Sequence, residues 1–206
     1  MLYDITPAVD EHLAVWPGDP RPSREIRCHL KDGAPVTVSV LHTQVHCGAH
    51  ADAPNHYGLD APGIDERSLE YYLGPCQVIE VQVTPGGRIA IGDVKDEIRQ
   101  PRILFKTGSY PDQRRFNEDY VAVEPTLVDW LHERGVILVG MDTPSVDTFT
   151  SKDLPAHHAF LRHDMAILEV LDLREVPVGE YELIALPLKL VGYDASPVRA
   201  VLRPLT

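Results

Sequence analysis

Three histidines and an aspartate, all able to bind a metal, fall within the segment His46-Cys47-Gly48-Ala49-His50-Ala51-Asp52-Ala53-Pro54-Asn55-His56, at positions 46, 50, 52 and 56. Two imidazoles and a carboxylate are the usual protein ligands of a hydrolytic zinc site, which keeps a position open for water. The His46-x₃-His50 spacing fits one helical turn, with side chains roughly 5–6 Å apart. In a straight strand the same pair would stand about 13 Å apart, too far to share an ion easily. His50-x-Asp52 instead suits an extended segment, where residues i and i+2 share a face. Gly48 and Pro54 disfavour a long regular helix. The pattern therefore predicts a turn or irregular loop curled around a metal, with small residues letting the backbone approach. Any one of these histidines alone reads more simply as structural. Three at these spacings, with an aspartate between, read as a metal site.

A second group lies about a hundred residues on, at His157, His158 and His163, within a total of 10 histidines. Either His157 or His158 can add an imidazole. Glu169 interrupts the apolar run Met165 to Leu171, where an uncompensated buried carboxylate would be costly and a cation would remove the cost. An exposed edge or a salt bridge would explain Glu169 equally well. Asp142 and Asp147 could accept histidine N–H groups, but their DTPSVD context favours turn-forming roles. Trp16, in Trp16-Pro17-Gly18-Asp19, reads by composition as a core anchor rather than a wall for an aromatic substrate.

The elements that must carry these groups read as a mixed α/β domain with many strands and few helices. Strands are expected at Val36 to Val40, Val78 to Val83, Arg102 to Lys106, Val136 to Gly140 and Val198 to Leu202. Met165 to Leu171 is a further apolar run. Tyr181 to Leu190 contains Pro187, which predicts an edge strand or a bend. Glu124 to Arg134 predicts a helix, with Pro125 in the first turn, Leu127, Trp130 and Leu131 on one face and Gly135 at the C-terminal cap. Leu154 to His163 is a weaker helical pattern. With 206 residues, 44% hydrophobic and 24% charged, a single globular domain spanning 1–206 is expected. The net charge of −12 argues against a nucleic-acid partner. No apolar stretch is long enough to span a membrane, and the first residues lack a signal-peptide pattern, so a cytoplasmic protein is expected. Cys28, Cys47 and Cys76 are too few and too scattered for a disulfide framework.

The string His46-x-Gly48-x-His50-x-Asp52-x-Pro54-x-His56 resembles the signature of the bacterial metal-dependent kynurenine formamidases, within the cyclase-like hydrolases. The resemblance extends through Trp16-Pro17-Gly18-Asp19, Tyr72 to Cys76, Asp142 to Ser145, His157 with Ile167-Leu168-Glu169, Tyr181 to Lys189 and Asp194 to Ala200. It implies a compact α/β domain with a β-rich core and flanking helices (a cyclase-like, swivelling fold), usually a homodimer. It implies two zinc ions, with manganese or cobalt as substitutes. His46, His50 and Asp52 would hold the first ion. His157 and Glu169 would complete the second, with Asp52 and Glu169 bridging. His56 would be the general acid/base and Trp16 would line the substrate pocket. The implied reaction is hydrolysis of N-formyl-L-kynurenine to L-kynurenine and formate by metal-activated water, with His56 delivering a proton to the aniline nitrogen.

Three other readings use the same residues. A cyclic-amide hydrolase of the isatin type would keep the site and change the substrate. A non-haem iron oxygenase would use His50, Asp52 and His157 as a 2-His-1-carboxylate triad, leaving His46 and Glu169 without a role. A non-catalytic metal-binding module would not need His56.

Overall fold

The computed structural model describes residues 1–205; Thr206, the last residue of the expected domain, lies outside the described residues. The strands are β1 (Tyr3–Asp4), β2 (Ser23–Cys28), β3 (Val38–His42), β4 (His50–Asp52), β5 (Leu73–Glu80), β6 (Arg88–Ile89), β7 (Arg102–Lys106) and β8 (Ala122–Val123), followed by helix α1 (Pro125–His132). Then come β9 (Leu138–Met141), helix α2 (Pro155–Arg162), β10 (Ala166–Glu169), β11 (Gly179–Ile184), β12 (Ala195–Pro197) and β13 (Val201–Pro204). Among the described residues, nine strands form one mixed sheet in the order β1-β13-β11-β5-β7-β9-β10-β4-β12. The strands β5, β7, β9 and β10 at its centre run parallel. They are apolar runs because both of their faces are covered. β4 joins β10 antiparallel, and β12 joins β4 antiparallel.

Strand alternation divides the core in two. Ile103, Phe105, Val139, Met141 and Ile167 face a cluster that includes Leu127, Val128 and Leu131 of α1 and Ala156, Ala159 and Phe160 of α2. Leu104, Leu138, Ala166 and Leu168 face the opposite cluster, together with Ala51 of β4. Leu168 pairs with Ala51, and Glu169 with His50. Residues i and i+2 of a strand share a face, so His50, Asp52 and Glu169 all turn toward the side that carries the helices.

Most expected elements are present, with shifted ends. β7 coincides with its expected range, α1 and α2 lie within theirs, and β5 starts five residues early. Three expectations change. β3 begins at Val38 and pairs only with β2, in a hairpin separate from the main sheet. β11 is not an edge: it lies between β5 and β13, and it ends at Ile184, so Pro187 removes no ladder hydrogen bond. The expected last strand is divided: the Val198 N–H continues the β12 pairing with β4 by bonding the Ala49 carbonyl at 2.9 Å, and only from Val201 does the chain join β1 and β11 as β13. Cys28, Cys47 and Cys76 are free thiols.

Gly140 is where the sheet packs most closely. A Cβ there would overlap Leu104 Cδ2 and stand 2.8 Å from Leu171 Cδ1. Both neighbours are fully buried and have no room to retreat. Gly140→Ala is expected to destabilise the fold by about 1–3 kcal/mol, measured by urea unfolding at fixed metal concentration.

Candidate active site

His46 precedes β4, where Gly48 (φ 60°) turns the chain into a left-handed conformation that suits glycine. This turn closes the gap that a straight strand would leave: the His46 and His50 rings lie 5.0 Å apart. β4 then runs extended through His50 and Asp52, and a short 3₁₀ turn, Pro54–His56, brings His56 back so that its ring lies 4.2 Å from His46. The expected loop is therefore part turn and part sheet strand.

His50 Nδ1 donates to the Gly48 carbonyl at 2.8 Å, so Nε2 is the free ring nitrogen. That Nε2 stands 3.4 Å from Asp52 Oδ1 and 3.4 Å from Glu169 Oε2. His157 is arranged in the same way. Its Nδ1 donates to Asp147 Oδ2 at 2.8 Å, while Nε2 lies 3.6 Å from Asp52 Oδ2 and 3.9 Å from Glu169 Oε1. His46 Nδ1 is 3.2 Å from Asp52 Oδ1. His50, Asp52, His157 and Glu169 are all buried. His50 Nε2 and both Asp52 oxygens have no hydrogen-bond partner, because these close approaches lack hydrogen-bond geometry. Neutral imidazoles in these tautomers aim lone pairs at carboxylate oxygens, and such a buried arrangement demands a cation. Burial pushes the His50 and His157 imidazoles down. Contact with Asp52 and Glu169 for His50, and with Asp147 and Asp52 for His157, outweighs it and raises each to about 10. Against its own burial, Asp52 is held well below the carboxylate range by His157, His46 and His50, whereas burial and the Asp52 charge push Glu169 up. The donors are imidazole nitrogens and carboxylate oxygens, a set that suits a divalent ion such as zinc, manganese or cobalt. Asp52 belongs both to the group His50, Asp52, Glu169 and to the group His46, Asp52, His56. One carboxylate is thus shared by two sets of candidate ligands.

His157 rather than His158 turns inward; His158 is exposed on the other side of α2. Helix α2 has no capping side chain of its own, since Leu154 at its N-cap is left-handed. Asp147 fills that role, accepting from the backbone N–H groups of Ala156 and His157 as well as from the His157 ring. Sequence reasoning gave Asp147 a turn-forming role, and the structure corrects this: its carboxylate sets the orientation of His157. Asp142 instead ties down a loop, accepting from Thr107 and Gly108. His56 sits at the rim, with 34% of its side chain exposed and Nδ1 3.7 Å from Asp194 Oδ2. Burial, with the nearby His46 and His157 rings, outweighs Asp52 and lowers its pKa, favouring the neutral form. Asp194, just before β12, also accepts from His46 Nε2 at 3.0 Å. Its role was not legible in the sequence, because it reaches the site only through the pairing of β12 with β4.

The cluster forms the floor of a cavity of about 300 Å³, whose lining includes Trp16, Tyr110, Phe116, Leu154 and Val170. Trp16 is 38% exposed, so it is not a core anchor. Its ring packs against Phe116 and Phe149 at 5.4 and 5.2 Å.

Residues 3–148 match the Cyclase family. The kynurenine formamidase of Bordetella petrii is 44% identical over 210 residues, covering 99% of this chain and 98% of that protein. The chain belongs to the Cyclase family. A solved structure described as a potential metal-dependent hydrolase with cyclase activity is 28% identical, with a TM-score of 0.84 over 98% of this chain and 96% of that one. An isatin hydrolase bound to the product analogue thioisatinate shares the fold, with a TM-score of 0.83 over 98% of this chain and 91% of that one, at 19% identity.

Asp147 both orients the His157 ring and caps its helix, so if His157 holds a metal, removal of this carboxylate should affect metal binding more than folding. Asp147→Asn is expected to weaken divalent-metal affinity about 10–100-fold, measured by competition with a chromogenic chelator. Unchanged affinity would leave Asp147 as a helix cap only.

Proposed function

We propose that this chain is a metal-dependent kynurenine formamidase that hydrolyses N-formyl-L-kynurenine to L-kynurenine and formate. The observation that carries this reading is the near full-length likeness to the Bordetella petrii kynurenine formamidase. The buried cluster supports the metal-dependent part of it. In this reading His46, His50, Asp52, His157 and Glu169 hold two zinc ions, with Asp52 and Glu169 shared between them. A bound divalent ion supplies an activated water and polarises the formyl carbonyl. The chain's own groups do the rest. Trp16 and its aromatic neighbours receive the aryl ring. Asp194 faces His56 Nδ1, which leaves Nε2 to take the proton from the attacking water. The same atom then hands that proton to the anilide nitrogen as the C–N bond breaks, because the aniline leaves poorly without it. Asp147 keeps His157 in one tautomer and orientation. We take the whole chain as one catalytic unit acting in the cytoplasm as a homodimer. The β2–β3 hairpin exposes Ile26, Val38 and Leu41, apolar surface that a second copy could cover.

An iron triad of His50, Asp52 and His157 would leave His46 and the buried Glu169 without a role, although both stand against the same groups, so the oxygenase reading is set aside. The isatin-type alternative keeps every ligand and differs only in substrate, and comparing the two substrates directly decides between them. The purified protein is expected to release formate from N-formyl-L-kynurenine, to lose that activity to a chelator and to regain it with zinc. Isatin ring opening without formate release would overturn the assignment in favour of the alternative. His56→Ala is expected to keep its metal, measured by elemental analysis, while turnover falls about 10²–10⁴-fold. Loss of metal instead would make His56 a ligand.

A further inference from the structure

The cavity above the metal cluster has an uneven charge. Its lining contains no Arg or Lys, and outside the cluster it contains one carboxylate, Asp19. Asp19 follows Trp16 in a tight turn, with its N–H donating to the Trp16 carbonyl at 3.0 Å and Gly18 at φ 101°. The turn holds the carboxylate at the same mouth as the indole. Asp19 is exposed and forms no ion pair or side-chain hydrogen bond among the described residues, so its charge is available to a ligand. Aromatic rings and a free carboxylate together make a site for an aryl group that carries an ammonium. The carboxylate attracts the ammonium, and the rings add cation–π attraction.

We propose that Asp19 is a specificity-determining residue that binds the α-ammonium group of the substrate. This rests on the formamidase reading and goes beyond it, because it explains why an amino-acid substrate would be preferred. Neutral isatin offers Asp19 no cation, and its anionic ring-opened product would be repelled.

The test uses the metal-loaded protein and two formanilides: N-formyl-L-kynurenine and 4-(2-formamidophenyl)-4-oxobutanoate, which lacks only the α-amine. The wild type is expected to favour the amine-bearing substrate about tenfold in kcat/KM, mostly through KM. Asp19→Asn is expected to bring that ratio to about one. The ratio is internal to each protein, so a partly misfolded variant does not mimic the effect. A wild type that treats both substrates alike, or a variant that keeps the wild-type ratio, overturns the role of Asp19 and leaves the formamidase reading standing. Absence of chelator-sensitive formate release from both compounds overturns both.

Discussion

Two carboxylates, Asp52 and Glu169, are buried side by side, and the free nitrogens of His50 and His157 face them both. Desolvating one carboxylate is already expensive, and desolvating two together adds their repulsion. Without a cation the imidazoles meet this demand by taking up protons, hence their elevated pKa values. With a divalent ion the same nitrogens can remain neutral and act as ligands. The surrounding structure is arranged so that this concentration of negative charge can be compensated from one direction, the cavity.

Sheet geometry turns that requirement into a fixed constellation. The pairing of Glu169 with His50 across β10 and β4 brings two distant parts of the chain into register. A slip of one residue would turn His50, Asp52 and their partners to the opposite face, into the apolar cluster. The alanines at 49, 51 and 53 fill that opposite side with small, fully buried groups. The outer imidazole comes from α2, which is aimed by Asp147 rather than by a cap of its own.

Two left-handed non-glycine residues stand next to these side chains. Val170, directly after Glu169, has φ 55°, and Leu154, directly before α2, has φ 42°. Left-handed conformations at such residues cost of order 1–3 kcal/mol each. Val170 is held there by a hydrogen bond from its N–H to the Thr143 carbonyl at 2.9 Å. Both side chains line the cavity. The sharp end of β10 and the abrupt start of α2 let Glu169 and His157 meet over the same oxygens.

The sequence by itself singled out the candidate metal-binding motif, most of the central strands and both helices. Those depend on local spacing: His50-x-Asp52 in an extended segment, apolar runs for β7 and β9, Pro125 and Gly135 around α1. It also bore the resemblance to kynurenine formamidases, because ligand types and intervals are written along the chain. Only the tertiary structure decided between His157 and His158, because the helix face that turns inward depends on how α2 packs. It set Trp16 in the cavity lining, where the resemblance but not composition had placed it, and gave Asp147 its hold on His157, since both positions rest on which loops meet in space. Asp194 and Asp19 came into view for the same reason. Their partners lie far away in sequence or in a ligand, and no local pattern encodes a contact that strand pairing and loop packing create.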